Sequence, residues 1–335
     1  MSLNLIPHST TPLTELLTRA AFAPLPTVGW IRVTGEDRVR WLNGMVTNSI
    51  QSLKPGEGCY NFFLNAQGRI QGDATAWMME DSILLETAAD RIPALMAMLD
   101  HFIIMDDVEL REIPHYHGLL LAGPRAEELL ALALLPVPAT GISYQIAGDE
   151  DDNGNPFLIL RAESPLVPRF EIWCYENKRD GICAFLGSKL NTVEATPEHL
   201  EQLRILEGTP LYGIDIRDKD LPQETNQTRA LHFSKGCYLG QEIVERIRSR
   251  GNVHRTFSGF ILEGELPAPG VVLTADEKPV GELTSVTRIQ WPSGPAQLAL
   301  GYIRREALDR GATIHYPGGT ATPANLPFSL PESRV

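Results

Sequence analysis

The sequence after Gly251 changes to short segments in which apolar and polar residues alternate. Turn-forming residues separate these segments, which lie at 257–262, 271–274, 279–288, 296–303 and 313–316. Alternation with a period of two is typical of half-buried strands, and many short strands divided by turn residues predict a small β-barrel. We therefore expect a C-terminal antiparallel β-barrel over residues 246–318. The proline-rich segment 319–335 is predicted to be a loosely held terminus.

The first third of the chain has a different pattern. Residues 28–33 are predicted to form a strand and residues 35–44 a helix with its apolar side chains on one face. The next block is predicted to contain strands at 59–64, 69–79, 82–87 and 107–113, a hairpin turn at 65–68 and a helix at 90–102. This block, residues 54–114, is expected to be an inserted unit of mixed α and β structure. Residues 1–25 are expected to be a terminal segment with a short surface helix that Pro24 and Pro26 terminate.

The middle of the chain returns to alternating strands and helices. We predict strands at 116–121, 142–147, 157–161 and 169–174, and helices at 125–135, 178–190 and 197–207. The last of these helices is expected to end at Gly208, because glycine is favoured just after a helix.

Charge and cysteine content exclude several classes of function. The formal net charge of the 335 residues is −13, which argues against a broad nucleic-acid-binding face, because phosphate binding needs basic surface. The four cysteines contain no Cys-x-x-Cys pair, so we expect no bound metal and no disulfide framework. This usage fits a reducing cytoplasm. No apolar run approaches the roughly 20 residues of a membrane helix, and the first 25 residues lack signal-peptide features.

The stretch 234–246 is the strongest candidate for chemistry. Gly236 and Gly240 bracket Cys237, and an amphipathic helix follows. A thiol near a helix N-terminus and beside Lys235 favours the thiolate, which is the reactive form of cysteine. The alternative is that Cys237 packs as a small hydrophobic side chain. The basic residues between Arg246 and Arg255 either hold a phosphate or carboxylate group or form a solvated face.

The octapeptide 235–242 (KGCYLGQE) resembles the signature of the YgfZ-type folate-binding proteins, which support iron–sulfur cluster assembly or repair and thereby tRNA modification. The segments 41–48, 64–70, 221–226 and 299–302 agree with that family in order. The family is similar in fold to the aminomethyltransferase of the glycine cleavage system, the T-protein. The resemblance implies an α+β fold in which three domains surround a folate channel. Residues 26–53 with 115–245, and residues 54–114, would be ferredoxin-like, and residues 246–318 the barrel.

The resemblance also implies site residues. Residues 68–73 match the T-protein segment that contains the catalytic aspartate, with Asp73 at its second carboxylate; without the resemblance, an aspartate in a polar turn is an equal interpretation. In the T-protein run that holds the pterin ring, Leu206 stands in place of the glutamate and Glu207 follows it. Glu224 is a substitute acceptor, a helix cap or the partner of a salt bridge to Arg229. The candidate ligand-binding residues are Arg204, Glu207, Tyr212, Glu224, Asn226, Arg229, Gln241 and Arg246, beside the candidate catalytic residues Cys237, Lys235 and Asp73.

Three functions remain open at this point. The leading one is a cytoplasmic, monomeric accessory protein that binds tetrahydrofolate, uses Cys237 and Lys235, and transiently contacts iron–sulfur enzymes or their assembly machinery. The thiol would then act on folate, on iron or on a partner. The second is a tetrahydrofolate-dependent aminomethyltransferase or demethylase that relies on Asp73. The third, direct tRNA binding through residues 246–255, is disfavoured by the acidic charge.

Overall fold

The computed structural model describes residues 11–251, 253–291 and 293–330. Its helices are α1 (Pro12–Thr18), α2 (Arg38–Met45), α3 (Ile92–Asp100), α4 (Ala126–Leu132), α5 (Glu176–Ala184), α6 (Pro197–Glu207), α7 (Gln241–Arg250) and α8 (Arg305–Asp309). Short 3₁₀ turns lie at Ala89–Arg91, Pro222–Thr225 and Thr228–Ala230, and a π turn at Phe185–Lys189 extends α5. Among the described residues, no helix is long and apolar enough to cross a membrane.

The strands form two open sheets and one closed barrel. In chain order they are β1 (Ala21–Pro24), β2 (Val28–Thr34), β3 (Gly58–Leu64), β4 (Ile70–Met78), β5 (Ile83–Ala88), β6 (Glu109–Ile113), β7 (Tyr116–Ala122), β8 (Ser143–Ile146), β9 (Leu158–Ala162), β10 (Arg169–Tyr175), β11 (Val193–Glu194), β12 (Arg255–Gly264), β13 (Val272–Ala275), β14 (Lys278–Trp291), β15 (Gly294–Arg304), β16 (Ile314–Tyr316) and β17 (Gly319–Ala324). Sheet A has the order β11-β1-β7-β10-β9-β8 and sheet B the order β3-β4-β5-β2-β6. The barrel closes as β12-β15-β14-β13-β16-β17, with antiparallel pairs throughout.

Sheets A and B pack face to face, and their shared core is rich in aromatic side chains. Trp30 of sheet B lies 5.0 Å from Trp173 and 5.8 Å from Tyr116 of sheet A, measured between ring centroids. Each sheet turns its other face to helices: α2 and α3 cover sheet B, and α4 and α5 cover sheet A. A sheet that is covered on both faces buries apolar residues at successive positions, as in the fully buried triplet 119–121 of β7.

Helix α6 connects the sheets to the barrel. It begins with Pro197 in its first turn, which suits the fixed backbone angle of proline. It ends at Gly208, which has a φ of +71°, as expected from the sequence. The helix contacts β14 and β15 of the barrel. It therefore places its last turn, with Arg204 and Glu207, between the barrel and the sheets.

The predicted α+β class with a C-terminal antiparallel barrel is confirmed, but the unit boundaries differ from the sequence-based ones. Strand β2 lies in sheet B with the 54–114 block, whereas we had grouped residues 26–53 with 115–245. Strand β1 lies in sheet A, so the segment 1–25 contributes to the sheets beyond the predicted short helix. The chain crosses from sheet A to sheet B at residues 25–27. Because β2 has buried side chains on both of its faces, its sequence pattern does not identify the strands with which it pairs.

The segment after Pro317 is also better ordered than predicted. Strand β17 pairs with β12 and β16 and closes the barrel. Beyond it, the backbone N–H of Phe328 donates to the carbonyl oxygen of Leu206 (2.8 Å), and the Phe328 side chain is buried. Residues 319–330 are therefore part of the fold, while residues 331–335 lie outside the described part of the chain.

Candidate functional site

A cavity of about 590 Å³ opens between one face of sheet B, the Ala89–Arg91 turn and the loop 211–214. Its polar lining includes Tyr60, Asp73, Glu86, Arg91 and Tyr212. The volume lies in the range of roughly 300–1,000 Å³ that is typical of small-molecule sites. The cavity is therefore our candidate binding site.

Strand register explains why side chains from distant positions share this cavity. In sheet B, Tyr60 is paired with Thr75, and Thr75 with Glu86. Directly paired residues point to the same face, as do residues two apart on one strand, so Asp73 joins them. That face of sheet B lines the cavity, while the alternate residues pack under α2 and α3.

Asp73 is placed to exchange a proton. The Tyr60 hydroxyl donates a hydrogen bond to Oδ2 of Asp73 (2.6 Å). Burial raises the pKa of Asp73 from 3.8 to about 6, against the opposing effects of the Tyr60 hydrogen bond and the Arg229 charge. Burial also raises the pKa of Tyr60 far above its ordinary value, so its hydroxyl stays a donor. The Arg229 guanidinium stacks 4.7 Å from the Tyr60 ring centroid. Asp73 can therefore act as an acid or a base near neutral pH.

A pair of buried carboxyl groups joins the sheets at the inner end of the cavity. Glu86 of β5 accepts a hydrogen bond from Trp77 Nε1 (2.8 Å). Glu171 of β10, 1% exposed, accepts two from Arg169 (2.7 and 3.1 Å) and one from Trp173 Nε1 (3.1 Å). Burial, followed by the Glu171 charge, raises the pKa of Glu86 well above its usual range. Glu86 therefore keeps its proton, and its O–H donates a hydrogen bond to the Glu171 carboxyl.

The two residues at the end of α6 face different surroundings. Glu207 is buried, accepts a hydrogen bond from the Ser164 hydroxyl, and feels the charges of Arg169 and Arg229. Burial raises the pKa of Glu207. Leu206 is buried in the apolar core that also contains Phe328. Of the two, only Glu207 joins the charged groups between the sheets.

The loop that carries Tyr212 is fixed from below by a buried ion pair. Asp215, which is fully buried, accepts hydrogen bonds from Arg204 Nη1 (2.7 Å), the Leu211 N–H (3.0 Å) and Ser285 Oγ (2.8 Å). Tyr212 lines the cavity, and burial raises the pKa of its hydroxyl. Arg204, which we predicted as a ligand-binding residue, thus holds the loop in place rather than lining the cavity.

Lys235 is tied into the backbone. Its Nζ donates to the carbonyl oxygens of Asn43 and Val46 (2.7 Å each) and of Asn48. These carbonyls lie at the end of α2 and in the turn after it. Burial lowers the pKa of Lys235 to about 8. The ammonium group therefore stabilises the helix end that packs beside the 235–242 octapeptide.

Cys237 is exposed and, with Lys235, is absent from the described residues that line the cavity. The neighbouring Tyr238 is buried, so it anchors the segment while the thiol faces solvent. The packing interpretation of Cys237 is therefore wrong for this structure.

Gly240 is required by close packing. It has a φ of +82°, and a Cβ at this position would lie 2.7 Å from the Asn65 carbonyl oxygen. Gly68 of the same hairpin turn would in turn place a Cβ 2.7 Å from that of Ile243 in α7. The octapeptide and the hairpin turn are therefore interlocked. Gly236, by contrast, has no atom within 4 Å of such a Cβ, so the structure gives no packing reason for glycine there.

The other predicted ligand-binding residues lie outside the cavity lining. Glu224 accepts a hydrogen bond from Arg255 (3.1 Å) and caps a 3₁₀ turn through the Leu221 N–H (3.2 Å). Asn226 and Arg246 are exposed, and Gln241 opens α7. Of the predicted set, the described structure brings Asp73 and Tyr212 into the cavity, with Arg229 and Glu207 behind its wall.

Sequence reasoning missed Tyr60, Glu86, Arg91 and Glu171. Two of them carried a usable signal: a lone glutamate stands inside an apolar strand at both Glu86 and Glu171. An acidic residue in such a strand requires a buried partner, which favours a functional site.

Comparison with known protein families finds two matching segments. The family model described as the GCVT N-terminal domain matches residues 16–235. The CAF17 C-terminal beta-barrel domain matches residues 250–332. The two matches coincide with the paired sheets and with the barrel.

Individual relatives are distant but cover most of the chain. A putative chloroplastic transferase of Arabidopsis thaliana is 27% identical over 85% of this chain, and a mitochondrial iron–sulfur cluster assembly factor IBA57 homolog of Neurospora crassa is 27% identical over 91%. The chain spans 66% of the length of each of these two relatives. An aminomethyltransferase of Streptomyces coelicolor is 26% identical over 80% of this chain and 74% of its own length.

Among solved structures, the glycine cleavage system aminomethyltransferase T from Bartonella henselae superposes with a TM-score of 0.84. The match covers 96% of this chain and 89% of the other, at 21% sequence identity. The likeness confirms the predicted T-protein-like fold.

Proposed function

The chain belongs to the GCVT N-terminal domain family, and from this membership and the cavity we propose that it binds a reduced folate and supports iron–sulfur cluster assembly. The observation that carries the folate part is the Tyr60–Asp73 pair on the cavity wall. Its carboxyl, with a pKa of about 6, suits the basic N5 nitrogen or one-carbon group of a reduced pterin. The relation to cluster assembly is supported by the IBA57 homolog and the CAF17-type barrel.

In this proposal Cys237 serves a partner rather than the bound folate. The thiol is exposed and stands outside the cavity lining, on a segment held by buried Tyr238 and interlocked through Gly240. A rigidly presented surface thiol suits transient contact with an iron centre or a partner protein. The resemblance of the octapeptide 235–242 to the signature of the YgfZ-type proteins supports this part of the proposal.

Isothermal titration calorimetry with tetrahydrofolate under reducing conditions tests the folate part. We expect saturable binding, weakened in Asp73→Asn; the absence of heat at millimolar ligand would overturn it. Rescue of a strain that lacks its own counterpart tests the thiol. We expect Cys237→Ser to fold and bind folate but fail to rescue. Cys183→Ser, at a partly exposed cysteine of α5, is the matched control and should rescue fully.

A second candidate is a tetrahydrofolate-dependent aminomethyltransferase. It is favoured by the similarity to the Streptomyces coelicolor enzyme and by the titration of Asp73 near neutral pH. It predicts turnover of an aminomethyl donor that Asp73→Asn abolishes and Cys237→Ser preserves. The opposite dependence on the two residues would support the assembly function.

A further inference from the structure

The mouth of the cavity contains one arginine whose hydrogen-bonding capacity is unused. Arg91 lines the cavity, and 42% of its side chain is exposed. Its charged contact is with Asp90 at 3.6 Å, and that carboxylate is itself 75% exposed. Among the described residues, no hydrogen bond from the Arg91 guanidinium is present. A pair this open to water contributes little, so the guanidinium can accept another anion.

The loop beside Arg91 is shaped around the guanidinium. Its Cζ atom stacks 5.5 Å from the ring centroid of Tyr212. The next residue is Gly213, with a φ of +89°, and a Cβ there would lie 2.3 Å from Nη2 of Arg91. The loop cannot drift, because the buried Asp215 holds it. The arginine is therefore preorganised, which lowers the entropic cost of binding a ligand.

The remaining cavity lining presents carboxyl groups and apolar side chains in addition to Arg91. Its lining includes Asp73, whose carboxyl accepts from Tyr60 and can accept further hydrogen bonds from a ligand. The apolar residues Leu211 and Ile214, 40% and 50% exposed, line the mouth beside Arg91. A ligand that fits combines hydrogen-bond donors, apolar surface and an anionic group.

The described basic residues between Arg246 and Arg255, which we considered as a site for an anionic group, do not line this cavity. Arg255 is occupied by Asp220 and Glu224, and neither it nor Arg246 lines the cavity. Arg255 instead lines a separate groove at the end of the barrel, together with Arg305.

Building on the proposed function, we propose that Arg91 binds the carboxylate of the glutamate tail of the folate at the mouth of the cavity. The guanidinium offers two parallel N–H groups, which match the two oxygens of a carboxylate. Tyr212 supports the guanidinium face, and the mouth residues Leu211 and Ile214 contact the aromatic ring between pterin and glutamate. The head is then directed toward Asp73, so Arg91 sets the orientation of the ligand.

Calorimetry with two ligands and three variants tests this assignment. The ligands are tetrahydrofolate and 6-methyltetrahydropterin, which has the same reduced ring without the tail. For Arg91→Ala we expect the Kd for tetrahydrofolate to rise about 10-fold, as for loss of one charge-assisted contact, and the Kd for the tailless ring to change less than about 2-fold. Arg91→Lys, which keeps the charge but loses the paired donors, should lie between. Arg305→Ala, in the barrel groove, is the matched control and should change neither value.

The outcomes separate this inference from the proposed function. If Arg91→Ala weakens both ligands equally, or neither, the tail does not bind there and the inference fails while folate binding stands. If Arg305→Ala weakens tetrahydrofolate selectively, the tail lies at the barrel groove. If the unaltered protein binds neither ligand, both proposals are overturned. Circular dichroism melting curves of the variants confirm that each is folded.

Discussion

Replacing Asp73 by asparagine tests the electrostatics of the cavity without any ligand. The pKa of Asp73 in the folded protein is about 6, against 3.8 for an unburied aspartate. One pKa unit corresponds to about 1.4 kcal/mol, so ionising this carboxyl in the folded state costs about 3 kcal/mol. Asparagine keeps an oxygen that accepts the Tyr60 hydrogen bond but carries no charge. We therefore expect Asp73→Asn to be more stable than the unaltered protein at neutral pH.

The pH dependence follows from linkage. Between the unfolded pKa and the folded pKa of about 6, the folded state holds the Asp73 proton that the unfolded state has lost. The contribution of Asp73 to stability is therefore highest below pH 4 and falls as the pH rises through this window. Part of this loss of stability has already occurred at pH 4.5, because that pH lies above the unfolded pKa. The Asp73 contribution therefore falls by a further amount of about 2 kcal/mol between pH 4.5 and pH 7.

Urea unfolding of both proteins at several pH values measures this effect. The free energy of unfolding of Asp73→Asn minus that of the unaltered protein should increase by about 2 kcal/mol from pH 4.5 to pH 7 and then level off. Asp152→Asn, at an exposed loop position, is the control for the loss of a surface carboxylate. A flat difference for Asp73→Asn would refute the raised pKa, and with it the argument that Asp73 exchanges protons near neutral pH.

Two further substitutions test structural roles that the sequence did not reveal. Lys235→Met should lower the free energy of unfolding by about 2–3 kcal/mol, because three carbonyl oxygens lose a charged donor; unchanged urea stability, with lost rescue, would instead indicate a chemical role for Lys235. Phe328→Ala should cost about 3–5 kcal/mol, because it opens a cavity against Leu206 and Gly259; a loss below 1 kcal/mol in the same assay would mean that the C-terminal segment contributes little to stability.

The elements that were predictable from the sequence carry their signals locally. The barrel strands alternate with a period of two between turn residues, and five of the six were placed close to their observed positions. Helix α6 shows its proline at the start and Gly208 after its end. The sixth barrel strand, β17, was missed because its sequence GTATPA contains glycine and proline, which are depleted in strands, and no large apolar side chain.

The candidate site was only partly predictable, because its geometry depends on contacts between distant segments. Asp73 was found through a motif, but its partner Tyr60 follows from the register of β3 and β4. The acceptors of Lys235 are backbone carbonyls 187–192 residues earlier, and a backbone group has no sequence signature. The chemical role predicted for Lys235 rested on its proximity in sequence to Cys237, whereas in the structure its ammonium group holds backbone carbonyls together.

The hydrogen bonds of the carboxyl pair Glu86 and Glu171 indicate which of the two groups carries the negative charge. Glu171 accepts hydrogen bonds from Arg169 and Trp173, and the Arg169 guanidinium compensates a negative charge there. Among the described residues no cation donates a hydrogen bond to Glu86, which accepts from Trp77, and the Arg169 charge acts on it less than burial does. The pair therefore holds a single proton, located on Glu86.

If the proton is on Glu86, then Glu→Gln substitutions at the two positions should change the free energy of unfolding by different amounts. Glu86→Gln replaces the O–H donor with an N–H donor toward Glu171 and keeps an acceptor for Trp77, so the free energy of unfolding should change by less than about 1 kcal/mol. Glu171→Gln removes the charge that compensates Arg169 and should cost about 3 kcal/mol or more. Urea unfolding at pH 7 measures both, and the reverse order would place the proton on Glu171. With Glu86 neutral, Asp73 is the carboxylate that titrates near neutral pH on the cavity wall, so a bound cationic or donor-rich head group is drawn to Asp73 rather than to the acid pair.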